Sequence, residues 1–363
     1  MSRVLVVGGG GYIGVVLCEQ LLELGYDVRV LDRLYFGSAG LWSIQDRAEI
    51  VVGDMRAVDP AVLNDVDAVI NLGGLSSDPT AEYNPKATYK INTLATRDMA
   101  IACKAQGIQR YVFASSCSVY DKGVLDDDAN LLQTEESELA PTATYAKSKY
   151  DAERYLIELA DDDFCPVMLR KGTVYGFSPR MRYDLVVNTF VKDSFATGAL
   201  NLHLGGEMWR PLLEIRDAAR AYIACIEAPA AEVRGEIFNV VNQNFRISEV
   251  GLRVREALRP FNVDVDLKPT YGMSGIRNYR VSGDKIGRVL GFQPSISIED
   301  SVTDIVTRMR RHGYTDFANP RYYNIQWMTL LEEATGLIKT AGGSMFDDPS
   351  AGSNRPSAAS TGS

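Results

Sequence analysis

Val4-Leu5-Val6-Val7-Gly8-Gly9-Gly10-Gly11-Tyr12-Ile13-Gly14 passes from an apolar run straight into glycines and then into an amphipathic segment. Gly8, Gly11 and Gly14 recur at every third residue. Where a strand feeds a helix, such glycines permit a tight turn and let the backbone approach a pyrophosphate, while the first helical turn offers unpaired N–H groups and a positive dipole end. A glycine repeat alone is weak, because flexible loops use glycine too. Its place between a strand and a helix predicts a dinucleotide site that includes Gly8, Gly11, Tyr12, Ile13 and Gly14.

Outward from this loop, short β-branched runs alternate with helical patterns, the signature of repeated βαβ units and a parallel sheet. Strands are predicted at Arg3–Val7, Asp27–Leu31, Glu49–Val52, Ala68–Leu72, Tyr111–Ser115, Pro166–Leu169 and Ile237–Val240, several nearly all apolar, as strands covered on both faces must be. The clearest helices are Gly11–Leu24, Asn92–Gln106 and Tyr145–Leu159, with another near Leu185–Ala196. The expected fold is an α/β, Rossmann-type doubly wound parallel sheet with a smaller discontinuous substrate domain. Residues 1–176 and about 204–240 are assigned to the first, 177–203 and 241–339 to the second. Residues 340–363, rich in Gly, Ser, Pro and Ala, are expected to be a disordered tail.

The chain has 363 residues, 46% hydrophobic and 23% charged, with a net charge of −9. That balance supplies no basic face for nucleic acid or an anionic membrane, and no apolar run reaches the roughly 18–20 residues of a membrane span. A cytoplasmic protein is expected. Five scattered cysteines and two histidines, His203 and His312, form no zinc or disulfide pattern, so no metal site is expected.

Asp32 ends the second strand, some 20 residues after the glycines, where a carboxylate can accept hydrogen bonds from ribose hydroxyls and repel a 2′-phosphate. This favours NAD over NADP, although Arg33 follows and could in principle hold that phosphate. Asp54 and Met55 follow the third strand; Asp54 is read either as a contact to the adenine amino group or as a loop-capping residue. Tyr145 and Lys149 stand four apart on a predicted helix and so share a face. An ammonium there would lower the phenol's pKa toward working pH and make a base for a sugar hydroxyl. The spacing is common by chance, but it lies about 30 residues after Ser115-Ser116-Cys117-Ser118-Val119-Tyr120, a strand ending in hydroxyls.

Together the glycine repeat, Asp32, the SSCSVY run and Tyr145/Lys149 resemble the extended short-chain dehydrogenase/reductase family of nucleotide-sugar epimerases and dehydratases, over roughly residues 1–310. The resemblance implies an NAD cofactor and a nucleotide-diphosphate sugar substrate. It makes Tyr145 the base, with Lys149 binding nicotinamide ribose and Ser116 bonding the reacting oxygen. It places Leu72, Gly73 and Asn92 near the cofactor. It also implies substrate contacts from Thr173, which stands where the family has an Asn, and from two phosphate-binding arginines, Arg210 and Arg277. A homodimer built from the helices Asn92–Gln106 and Tyr145–Leu159 is implied as well.

Related 4,6-dehydratases carry an Asp-Glu pair after the residue matching Ser116, where this chain has Cys117 and Ser118. Relatives that epimerise at C3 and C5 use a cysteine where this chain has Ser118, a candidate substrate contact. A one-residue shift along a strand would turn Cys117 to the other face, as a packing residue. What remains is 4-epimerisation. Dehydratase, decarboxylase, 4-keto reductase and a non-catalytic NAD-binding sensor stay open as alternatives.

Overall fold

The apolar run preceding the glycines is an interior strand of a seven-stranded parallel sheet. In the computed structural model, which describes residues 2–121, 131–271 and 277–340, the strands are β1 (Arg3–Val7), β2 (Asp27–Asp32), β3 (Glu49–Val52), β4 (Ala68–Asn71), β5 (Arg110–Ser116), β6 (Cys165–Lys171) and β7 (Ile237–Val240). Their spatial order is β7-β6-β5-β4-β1-β2-β3. The winding reverses between β1 and β4, and in open α/β sheets a ligand crevice forms at that point, beyond the carboxyl ends of the strands.

Alternation along β1 divides the core. Val4 and Val6 face a cluster with Val15, Leu21, Ala219 and Tyr222, from helices α1 (Tyr12–Glu23) and α5 (Ile215–Glu227). Leu5 and Val7 face a second cluster with Met99, Cys103, Ala152 and Leu156, from α2 (Ala95–Ala105) and α3 (Thr144–Leu159). Both faces are thus sealed by helices, which is why the strands read as continuously apolar.

A separate core joins Phe190, Val191, Leu202, Leu212, Val250, Val254, Val302 and Ile305. It is built on α4 (Val186–Thr197), α6 (Ile247–Leu258) and α7 (Ile298–His312), with a three-stranded sheet of Thr173–Tyr175, Trp209–Glu214 and Gln243–Arg246. This layout moves the expected domain boundary in two places. Trp209–Glu214 pairs in the small sheet, whereas Ile286 and Phe292, placed by sequence in the second domain, pack into the main core. The reason is that chain order does not decide which lobe buries an apolar face. A helix α8 (Asn324–Thr340) follows; the expected tail from 341 onward lies outside the described residues. Among the described residues no helix is long and apolar enough to cross a membrane.

Candidate active site

A cavity of about 420 Å³ opens above the carboxyl ends of the central strands. At one end lies the glycine loop. Gly8 has φ +76°, and a Cβ there would stand 2.8 Å from the backbone nitrogen of Gly73. A Cβ on Gly10 would come within 3.2 Å of the Asp32 carboxylate, and one on Gly14 would overlap the Gly8 carbonyl. α1 begins at Gly11 without a side-chain cap. Its first N–H groups are therefore available to an anion, and the cradle fits a dinucleotide diphosphate.

Gly8, Gly11, Tyr12, Ile13, Gly14, Asp32, Asp54, Met55, Leu72 and Gly73 all line this cavity. Asp32 accepts hydrogen bonds from the backbone N–H groups of Gly10 (3.0 Å) and Leu34 (2.7 Å). Burial raises its pKa against the pull of those bonds. Asp54 is held down to about 2, chiefly by hydrogen bonds from Arg56, with Arg33 adding to the effect. Arg33 Nη1 lies 2.7 Å from Asp54, so the group that could have held a 2′-phosphate is already paired. The Gly-Gly after β4 is needed sterically, since a Cβ on Gly73 would stand 2.6 Å from Met55 Sδ.

At the other end Ser116, Tyr145, Lys149, Thr173 and Arg277 line the same cavity. Ser116 is near enough to Tyr145 to favour its phenolate, and Lys149 Nζ lies 6.0 Å from the centre of the Tyr145 ring and 4.7 Å from that of Phe113. Lys149 is 4% exposed; burial, reinforced by Lys171, lowers it to about 7. The phenol of Tyr145 is raised, because burial outweighs every opposing charge, of which Arg277 is the largest. Without a bound ligand, burial thus outweighs the effect expected of Lys149, which is itself losing its charge to burial.

Several predicted residues lie elsewhere. Asn92 is buried outside the cavity lining, bonding the backbone N–H and carbonyl of Leu75 and the Ser148 hydroxyl. It fixes the loop after Gly73 against α3. Arg210 donates to the Trp209 carbonyl at 2.8 Å and does not line the cavity. Ser118 is buried, and its hydroxyl has no partner. Cys117 and Ser118 sit on a 3₁₀ turn, Cys117–Tyr120, rather than on the strand, so strand alternation does not orient them. Cys117 is nonetheless fully buried, its thiol donating to the Arg170 carbonyl. His203 pairs with Thr270 and His312 stacks on Trp42.

Among the lining residues missed from sequence are Asp78, Lys171, Arg180 and Arg182. Lys171 follows from strand register, being paired with Ser116 across β5 and β6; its amine donates to the Ser115 carbonyl at 2.7 Å. Asp78 forms an ion pair with Arg277, which also lies 3.1 Å from Asp121. The preceding Ser77 has φ +89° and ψ 151°, a strained conformation for a residue with a side chain, stored beside the site.

Relatives and solved structures agree with this architecture. A Methanocaldococcus jannaschii protein provisionally assigned as a UDP-glucose 4-epimerase is 28% identical over 335 residues, spanning 86% of this chain and 100% of its own. UDP-glucuronic acid decarboxylase 1 of Xenopus tropicalis is 26% identical over 62% of this chain, which spans 54% of that protein's length. The structure of DesIV, a dTDP-glucose 4,6-dehydratase from Streptomyces venezuelae, matches with a TM-score of 0.74 at 24% identity, over 86% of this chain and 99% of that one. The sequence model of the NAD dependent epimerase/dehydratase family matches residues 4–240, and the chain belongs to that family.

Proposed function

We propose that this chain is a nucleotide-sugar 4-epimerase that works on an NDP-hexose with NAD retained in the glycine cradle. The observation that carries the reading is the convergence of Ser116, Tyr145 and Lys149 on one end of the cavity, away from the glycine loop. When bound, NAD takes a hydride from the sugar carbon and returns it to the opposite face. Tyr145 removes the hydroxyl proton as the hydride leaves and gives it back when the hydride returns. Ser116 bonds the reacting oxygen, and Lys149 holds the nicotinamide ribose. Gly8, Gly11, Gly14 and Asp32 hold the dinucleotide; Thr173 and Arg277, which line the cavity as Ser118 and Arg210 do not, serve the substrate, Arg277 exchanging its carboxylate partners for the diphosphate.

Cys117 and Ser118 supply no carboxylic acid for elimination of water, which supports epimerisation over 4,6-dehydration. A sugar deuterated at C4 should return as its C4 epimer with deuterium retained, no net NADH and no 4-keto-6-deoxy product. Accumulation of that deoxy sugar or of NADH would make the protein a dehydratase or a dehydrogenase. Residues 1–176 with about 204–240, which include α5, form the cofactor lobe in this proposal, and the separate core forms the substrate lobe.

A further inference from the structure

The segment after Gly176 folds back over the glycine loop. Tyr12 Oη donates to the Gly176 carbonyl at 2.8 Å, and Ser178 Oγ donates to the Tyr12 carbonyl at 2.7 Å. These bonds bring Arg180 to the wall of the cavity that Gly8 and Gly10–Gly14 also line. Its guanidinium lies 3.6 Å from the centre of the Phe36 ring. A Cβ on Gly40 would stand 2.9 Å from Arg180 Cβ, so the backbone after β2 closes on it from the other side.

Arg180 is 7% exposed. Nη2 donates to Asn324 Oδ1 at 2.6 Å, but Nε and Nη1 have no partner. Among the described residues no carboxylate is ion-paired with it; after burial the strongest influence on it is the like-charged Arg182, itself bonded to Asp184 at 2.8 Å, and Asp184 and Asp32 offset this only at longer range. A guanidinium stays charged in proteins, and a buried charge with unmade donors is costly unless something anionic completes it. Asn324 is placed to hold it: its backbone N–H donates to Asp184, and its amide to Ser76, at 3.1 and 2.9 Å.

We propose that Arg180 is a side-chain ligand of the dinucleotide diphosphate, closing over the backbone cradle, and that Asn324 on α8 positions it. The diphosphate is favoured over a 2′-phosphate because Arg180 is fastened through Tyr12 and Gly176, at the glycine loop, and because Asp32 would repel a ribose phosphate. The substrate diphosphate is disfavoured, since the proposed function assigns it to Arg277, which lines the cavity with Ser116 and Tyr145. This inference rests on NAD binding by the family and not on which sugar carbon reacts, so its test uses binding without turnover.

Cofactor-free protein is titrated calorimetrically with NAD, NADP, ADP, UDP and adenosine, for the wild type and for Arg180→Met, Arg180→Lys and Asn324→Ala, with melting curves in parallel. Arg180→Met should weaken NAD and ADP by about 10- to 100-fold, the range expected for a lost charge-assisted hydrogen bond. Adenosine and UDP should bind as before. The ligand-free variant should melt no lower than wild type, because an unmatched buried charge is gone. Arg180→Lys should recover part of the NAD affinity, and Asn324→Ala should lose several-fold with no further loss in the double variant. Unchanged NAD affinity in Arg180→Met overturns the proposal. So does a loss confined to NADP, a loss confined to UDP, or an equal loss for adenosine with a lowered melting temperature, which would mark a purely structural arginine.

Discussion

Lys149 Nζ stands 6.0 Å from the centre of the Tyr145 ring, one helical turn along the same face of α3, and Ser116 lines the same end of the cavity. Burial favours the protonated phenol in this arrangement, so Tyr145 has to release that proton to solvent before it can accept the sugar's, a step that the positive charges of bound NAD and of Lys149 would favour. Tyr145→Phe keeps the ring and removes the proton acceptor. Turnover should fall by roughly 10²–10⁴, the usual worth of general acid–base catalysis, while NAD affinity by titration stays within a few-fold. An enzyme that turns over normally without the hydroxyl has a different base.

Cofactor choice should follow Asp32. Its carboxylate faces the cavity beside Gly10, and Arg33 is tied to Asp54. NAD should bind at least about tenfold tighter than NADP, a difference of roughly 1.4 kcal/mol. Equal affinities in a titration would show that a positive group near Asp32 accepts the extra phosphate.

The parallel sheet was legible because each strand is a short β-branched run bounded by glycines or by a helical period, and β1, β3 and β7 match their predicted limits residue for residue. Tyr145, Ser116 and the glycine loop were legible because spacing alone nearly fixes their geometry: a helix turn, a strand end, a strand-to-helix bend. Lys171 was not, since only the register of β5 on β6 sets it against Ser116. Asp78, Arg180 and Asn324 meet the cavity from three different segments, and single-sequence reading carries no signal for contacts of that kind. Cys117 is buried as expected, but not for the reason expected, because the strand ends at Ser116 and a 3₁₀ turn replaces the alternation assumed there.

Cys117 is fully buried with its thiol donating to Arg170, and burial pushes its pKa far up. A thiol in that state is a packing group rather than an acid or base. Cys117→Ala should therefore keep most of the turnover while lowering stability by roughly 1–2 kcal/mol, the cost of a small buried cavity. A loss of activity comparable to that of Tyr145→Phe, in a variant that melts normally, would return the cysteine to the chemistry.

Oligomeric state is open to a direct test. Ile101 on α2 and Ile157 on α3 are 46% and 45% exposed, on the two helices that the family resemblance assigns to a two-fold interface. Paired across such an interface, both would be covered. Light scattering at micromolar concentration should give a dimer mass, and Ile101→Glu with Ile157→Glu should give a monomer. A monomeric wild type would remove the assignment.

The two buried lysines set a pH dependence with a definite sign. Lys149 is lowered to about 7 and Lys171 to about 8, each mainly by burial, whereas in the unfolded chain both titrate near 10.4. Below pH 7 the folded and unfolded states carry the same protons, and the folded state bears the whole penalty of burying the charges. Above about 8 the folded lysines have released protons that the unfolded chain still holds, so their contribution to stability improves with pH until about 10.4. Lys171→Met removes one of these groups and its share of the slope. The melting temperature of the variant minus that of wild type should be nearly constant up to pH 8. It should then decline as pH rises toward 10, by up to roughly 2 °C per pH unit. Taking the difference cancels the tyrosines and cysteines common to both proteins, several of which titrate in the same range when unfolded. A difference that stays flat from pH 7 to 10 would show that Lys171 keeps its proton in the folded protein, held by an anion near Ser115 and Ser116 rather than discharged by burial.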